Sequence, residues 1–302
     1  RNPAFPYIPG LDVCGVVEEV DDSDHLLSFK VGDTIIGTWD NYGVGGMSEY
    51  ALVLTDRAAL KPPHLTPEEG AALVNSLVHA LKIVDSANIQ TGDRVLVLGG
   101  SGAVGTAVVL MLRHTTASFV ACTSTDTTLM TTLGAHCTVN YLQEKWWEVP
   151  AFQAEPFDVI IDCAEGSNGW ARCGSVLKTA VQGGKWVAVV LNHWEIPMTA
   201  WHHVCAMACP LLCRMMGNGG LCCCCLKPCV AHSAPKYIMQ MSEVKSEDIA
   251  NTARYCEQHR EDFKVVLHGN QAFPFTLEGV VDAFRTMENR KGHGNVVVKI
   301  AE

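Results

Sequence analysis

Arg94-Val95-Leu96-Val97-Leu98-Gly99-Gly100-Ser101-Gly102-Ala103-Val104-Gly105 is the stretch that decides how the chain is read. Its first five residues form an apolar run that reads as a buried parallel strand, and the apolar segment from Ala103 to Leu112 reads as a helix. Between them Gly100, Gly102 and Gly105 satisfy G-x-G-x-x-G. Glycine there permits a tight turn, lets the backbone approach a pyrophosphate, and lets the helix pack on the strand with its first amides facing the anion. The six-residue pattern alone is weak, and its bland reading is a structural glycine turn. The strand–loop–helix context favours dinucleotide binding.

Outward from this loop, strand and helix signals alternate. Thr66-Pro67-Glu68-Glu69 supplies an N-cap, a proline at the first helical position and a capping-box glutamate for a helix to about Ala87. Strands are expected at 94–98, 118–123, 137–140, 158–163 and 185–191, with helices at 103–113, 127–133 and 171–180. That order implies a parallel, doubly wound α/β sheet. Gly134 and Gln182-Gly183-Gly184 read as stops. Residues 1–62 carry β signals instead: Asp12 to Val20, Val31 to Gly37 and Met47 to Val53 read as strands of a small barrel that begins as though earlier strands were missing. Near the C-terminus Glu247 to His259 and Thr276 to Glu288 read as helices, and Phe263 to Leu267 and Asn295 to Ile300 as strands.

Composition narrows the function classes. At 302 residues with 48% hydrophobic and 18% charged residues, the chain has enough apolar material for one large or two ordinary cores. A net charge of −10 argues against a nucleic-acid surface, and no run of about eighteen apolar residues marks a transmembrane helix. The chain opens Arg1-Asn2-Pro3 with no initiator Met or leader, so no targeting segment is expected within it. Asp21, Asp22 and Asp24 read as a solvated turn, lacking the alternation of a calcium loop.

Eight of the 14 cysteines lie between Cys205 and Cys229. A metal site would use pairs such as Cys222 and Cys225, an acylated or membrane-contacting loop is a second reading, and a packing segment in which cysteine replaces small residues is the third and plainest. His202-His203 with Trp194 and Trp201 reads as packing, since no carboxylate lies nearby to complete a metal site.

Several motifs occur in a recognisable order: Pro9-Gly10-Leu11-Asp12-Val13-Cys14-Gly15-Val16-Val17, Val31-Gly32-Asp33, Gly45-Gly46-Met47-Ser48-Glu49-Tyr50, the glycine loop, Leu133-Gly134-Ala135, Asn140-Tyr141, and Phe157-Asp158-Val159-Ile160-Ile161-Asp162. Together they resemble the medium-chain dehydrogenase/reductase superfamily, and within it the zinc-free quinone oxidoreductase branch, whose mitochondrial NADPH-dependent type is the nearest likeness. The resemblance implies a Rossmann doubly wound parallel sheet at 67–262, enclosing the Cys-rich segment 205–229. It also implies a GroES-like β-barrel domain, truncated at its N-terminus, at 1–66 with a return at 263–302. Hydride would pass between a nicotinamide and a quinone, enone or carbonyl held in the interdomain cleft. Zinc-dependent relatives carry Gly-His-Glu where this chain has Gly10-Leu11-Asp12, so no catalytic zinc is expected.

NAD-selective folds place an acid about twenty residues beyond the glycines to bind the ribose hydroxyls. Here the second strand runs out through Cys122-Thr123-Ser124-Thr125, small hydroxyls that favour NADPH over NADH. Ser124 and Tyr141 are then expected to flank the adenosine phosphate. The lysine that relatives add is absent, and Asp126 is nearby as a repulsive group. Gly100, Ser101, Gly102, Ala103, Val104 and Gly105 would hold the pyrophosphate. By family position, Cys163, Ala164 and Glu165 with Leu191 and Asn192 would line the ribose–nicotinamide side. His79 replaces the threonine of the family's Gly-Leu-Thr-Ala helix, and either hydrogen-bonds the ribose or amide or fills that space. No acid or base need be invariant in such catalysis, so the catalytic residues stay unassigned. The competing reading is a non-catalytic accessory subunit that keeps the fold inside a larger assembly. A homodimer or such a complex is expected, in mitochondria by resemblance and otherwise in the cytoplasm.

Overall fold

A computed structural model describes residues 7–21, 29–39, 45–189, 234–240, 244–289 and 292–301. Leu191, Asn192, Trp194, Trp201, His202, His203, the Cys205–Cys229 segment, Asp22 and Asp24 lie outside the described residues. The backbone forms two compact units. One holds the described residues of Arg1–His79, Gly102–Ala107 and Ser242–Glu302, the other those of Ala80–Ser101 and Val108–Met241.

In the first unit β1 (Asp12–Val16), β2 (Thr34–Thr38) and β3 (Ala58–Leu60) form an antiparallel sheet in the order β1-β2-β3. Helix α1 (Pro67–Ala87) starts as the sequence expects: Glu69 N donates to Thr66 Oγ1 at 3.2 Å and Thr66 N donates to Glu69 Oε2 at 2.9 Å. The expected strand over Met47 to Val53 does not form. Both edges of β2 are taken by β1 and β3, and residues 47–54 instead run irregularly with bends at 48–50, leaving Tyr50, Leu52 and Leu54 exposed.

The second unit is built on a six-stranded parallel sheet. Its strands are β4 (Arg94–Leu98), β5 (Phe119–Thr123), β6 (Cys137–Val139), β7 (Val159–Asp162), β8 (Lys185–Ala188) and β9 (Lys236–Met239), in the order β6-β5-β4-β7-β8-β9. Val95 to Leu98 are fully buried, as a strand covered on both faces requires. Helix α2 (Ala103–Leu112) follows β4, and α3 (Thr127–Leu133) follows β5 and stops at Gly134, whose φ of 105° is the left-handed cap expected there. Trp146, Phe152, Phe157 and Trp186 pack with Leu96 and Ile160 in the core, beside the short helix α4 (Pro150–Ala154).

The expected helix 171–180 is replaced by a short α5 (Ser167–Trp170) and 3₁₀ turns at Cys173–Ser175 and Ala180–Gln182. The backbone between those turns is committed elsewhere: Phe157 N donates to Val176 O at 2.8 Å and Lys178 N to Phe157 O at 3.0 Å. Strand β9 was not expected from the sequence.

In the first unit's C-terminal part, α6 (Ser246–Gln258) and α7 (Leu277–Glu288) match the expected helices. The strands there shrink to β10 (Phe273–Pro274) and β11 (Val298–Lys299), and the expected strand at 263–267 is reduced to one bridge between Leu267 and Asn295. A 3₁₀ turn at His268–Asn270, with Gly269 and Asn270 at positive φ, interrupts the ladder. Among the described residues no helix is long and apolar enough to cross a membrane.

Candidate functional site

The glycine loop is fastened to the strands on either side of β4. Gly99 N donates to Thr123 Oγ1 at 2.8 Å and Gly100 N to Thr123 O at 2.9 Å, while Cys163 N donates to Leu98 O at 3.0 Å. Gly99 has a φ of 78°, and a Cβ there would lie 2.6 Å from Ala164 Cβ. A Cβ on Gly100 would lie 2.8 Å from Cys122 Cβ. Both positions therefore need glycine for close packing, on the β7 side and the β5 side respectively. The loop then enters α2, whose first internal bond here is Thr106 N to Gly102 O at 2.9 Å. The amides of Ala103, Val104 and Gly105 precede that closure and have no acceptor within the helix. No acidic residue occupies the first turn of α2, so the helix supplies no side-chain charge of its own against the positive end of its dipole. This donor set fits an anion such as a pyrophosphate. Ser101 and Gly105 are buried, and Gly102, Ala103 and Val104 half-buried.

Beyond Thr123 the chain turns inward. Ser124 is fully buried: its amide donates to Val139 O at 3.0 Å, and its Oγ accepts from Asp126 N at 2.9 Å. The hydroxyl assigned to a phosphate from sequence is thus spent inside the turn. Asp126 caps α3, its Oδ1 accepting from Leu129 N at 2.9 Å. Tyr141, just past β6, is 48% exposed and available at the surface.

On the other side of the loop, Asp162 ends β7 fully buried. Its Oδ1 accepts from Ala164 N at 3.0 Å and Glu165 N at 2.7 Å, and its Oδ2 from Gly166 N at 2.7 Å. This one carboxylate holds the whole Cys163-Ala164-Glu165 turn. Burial pushes Asp162 up to about 6, with those three amides opposing the shift. Burial, then the Asp162 charge, push the Cys163 thiol far up, so no reactive thiolate is present. Glu165 is turned to Trp146, whose Nε1 donates to Oε1 at 2.8 Å. Burial raises its carboxyl, and Trp146 and then Arg172 pull it back.

The sequence alone assigns no role to Thr123 or Asp162. The available signal was a polar residue closing a buried apolar strand, which must find backbone partners.

His79 lies in the first unit on α1. Its Nδ1 donates to Asn75 O at 2.7 Å, because a carbonyl only accepts, and this makes Nε2 the acceptor nitrogen of the neutral ring. Asn75 is held in turn by Asp12: Asn75 N donates to Oδ2 at 3.2 Å, Nδ2 donates to Oδ1, and Nδ2 also donates to Thr38 Oγ1 at 3.0 Å. Burial pushes Asp12 up to about 6, with hydrogen bonds from Thr38 and Asn75 opposing it.

Ionising Asp12 therefore costs more in the folded chain than in the unfolded one. Its stabilising contribution is complete below the ordinary value of 3.8 and is lost as pH rises through about 6. In Asp12→Asn, the fall in unfolding free energy between about pH 5 and pH 7.5 is expected to shrink by roughly 1–2 kcal/mol, read by urea melts at both values. An unchanged pH difference would show that Asp12 ionises freely in the fold.

Gly99 to Ser101, Ser124, the residues after β6, and Cys163 to Glu165 thus follow the carboxyl ends of neighbouring strands of one parallel sheet. Leu191 lies outside the described residues.

Comparison with known proteins adds three kinds of likeness. Residues 1–64 match the alcohol dehydrogenase GroES-like domain. Among curated proteins the chain is 34% identical over 167 residues to 2-methylene-furan-3-one reductase of Solanum lycopersicum, covering 52% of this chain and 42% of that protein. It is 33% identical over 178 residues to the mitochondrial NAD(P)H oxidoreductase RTN4IP1 of Bos taurus, covering 57% and 44%. The chain thus spans less than half the length of these relatives. Among solved structures it matches the Escherichia coli quinone oxidoreductase complexed with NADPH, with a TM-score of 0.73 at 15% identity, covering 99% of this chain and 84% of that one. That last likeness speaks for the fold.

Proposed function

We propose, for a chain that the GroES-like match and the curated relatives support as a medium-chain dehydrogenase/reductase of quinone-oxidoreductase type, that it binds NADPH and reduces a quinone or an activated enone or carbonyl. The observation carrying this reading is the glycine loop fastened by Thr123 beside β5, leading into the first α2 amides, which have no acceptor within the helix. The bound nicotinamide would supply the hydride chemistry. The amides of Ala103, Val104 and Gly105 would hold the pyrophosphate, and the close packing that Gly99 and Gly100 permit against Ala164 and Cys122 would set the loop that leads to them. Asp162 sets the Cys163–Glu165 turn, so the adjoining wall is rigid before any ligand arrives. The chain's own contribution is then positioning rather than acid–base chemistry.

Zinc plays no part in this reading. Both oxygens of Asp12, at the place where zinc-dependent relatives carry Gly-His-Glu, are occupied by Asn75. The bovine relative's name motivates a mitochondrial location for this protein as well. Titrating the protein into NADPH, with and without a chelator, and following nicotinamide fluorescence tests the reading. Saturable binding that survives the chelator is expected. Absence of binding at about millimolar nucleotide, near the upper end of ordinary substrate affinities, would overturn it.

A further inference from the structure

We infer that the outer face of α7 is a self-association surface, on which a second copy of this chain docks with its own α7 antiparallel. The helix is inside out for one that packs only within its own unit. Its inner face is made of small residues: Gly279 and Ala283 are buried, and a Cβ on Gly279 would lie 2.3 Å from Pro274 O at the end of β10. The large apolar side chains face solvent instead. Leu277 is 85% exposed, Met287 60% and Phe284 47%, with Phe275 at 42% just before the helix. Together with the half-buried Val280, the three helical residues recur at steps of three and four, so they form one stripe. A contiguous apolar stripe of this kind marks a contact surface, whereas single exposed apolar residues do not.

The order of residues along the stripe selects a second copy as its occupant. Leu277, Val280, Phe284 and Met287 are symmetric about Asp282, so a two-fold axis there sets Leu277 on the partner's Met287 and Val280 on the partner's Phe284. Charge selects the same arrangement. In the antiparallel pair Glu278 comes level with the partner's Arg285, and Glu288 lies by the N-terminus of the partner's helix, where a carboxylate is favoured. A parallel pair would set Glu278 on the partner's Glu278 and Glu288 on the partner's Glu288. Glu278 and Arg285 are both exposed. Arg285 already meets Asp282 of its own helix at 3.2 Å, and a guanidinium has donors left for a second carboxylate. The stripe offers roughly 400 Å² of apolar side chain per copy, about half of what each partner gives to a stable dimer, so the association is weak and concentration-dependent.

Sedimentation equilibrium of the wild type between about 5 and 200 µM, a range that spans the affinity of so small an interface, is expected to show a reversible step that doubles the mass. Leu277→Asp puts a charge into the seam at a position that is almost bare in the fold, and should weaken that step by more than about tenfold. Glu278→Arg and Arg285→Glu should each weaken it by about tenfold, and the double exchange should return it to within about threefold of wild type. Loss of fold cannot imitate that recovery, and thermal melts of each variant accompany it. A single mass throughout, whether the stripe stays bare or takes a different protein, overturns the inference. So does a doubling that Leu277→Asp leaves intact, or a weakening by the two charge variants that the double exchange does not restore. None of these outcomes bears on nucleotide binding.

Discussion

Asp162→Ala is expected to lower the unfolding free energy by about 3–5 kcal/mol, among the largest losses a single side chain in this fold can cause. The carboxylate is fully buried and accepts from three successive amides. Truncation strands those donors at the end of β7, and each buried orphan costs roughly 1–3 kcal/mol unless water reaches it. Asp162→Asn keeps the volume but turns one donor toward another, so its loss should fall between alanine and wild type. Denaturant melts of the three proteins at one pH decide the matter. A loss under about 1 kcal/mol for alanine would mean that the Cys163–Glu165 turn holds itself or is rehydrated.

Gly100→Ala should strike binding harder than stability. The new Cβ would stand 2.8 Å from Cys122 Cβ and 3.0 Å from Met130 Sδ. Met130 can rotate its sulfur away, but Cys122 Cβ is fixed to the backbone of β5, so the loop must lift. Overpacking of this kind costs about 1–3 kcal/mol. Displacing the loop carries the α2 amides with it, and NADPH affinity is expected to fall by more than about tenfold. The double variant Gly100→Ala with Cys122→Gly restores the space and should recover affinity even though the strand itself is weakened. Failure of that recovery, or wild-type affinity in the single variant, would show that the close approach does not position the amides.

What the sequence made legible was local. Strand β4 and helix α3 fell where apolar runs and a terminal glycine placed them, since strand burial, N-caps and left-handed stops are written within a few residues of where they act. The glycine loop was legible for the same reason. Where the sequence misled, a distant partner decided. The run Met47 to Val53 has strand composition, yet β2 is already paired on both sides, and in residues 171–180 the Val176 carbonyl and the Lys178 amide are taken by Phe157 at the lead into β7. The candidate site divides likewise. Gly100 to Gly105 could be named from spacing, but the inward turn of Ser124 depended on the backbone of Asp126 and Val139, and the role of Asp162 on three amides downstream of it. No window of sequence states which neighbour a hydroxyl will choose.

Thr123 gives the edge of this sheet a division of labour. Among the described residues it is Thr123 that hydrogen-bonds the loop to β5, with one hydroxyl and one carbonyl. The shape of the phosphate turn is therefore insulated from changes just downstream. Exchange of Thr125 or Thr127 would leave both of those bonds in place, whereas loss of Thr123 would release the two loop amides together.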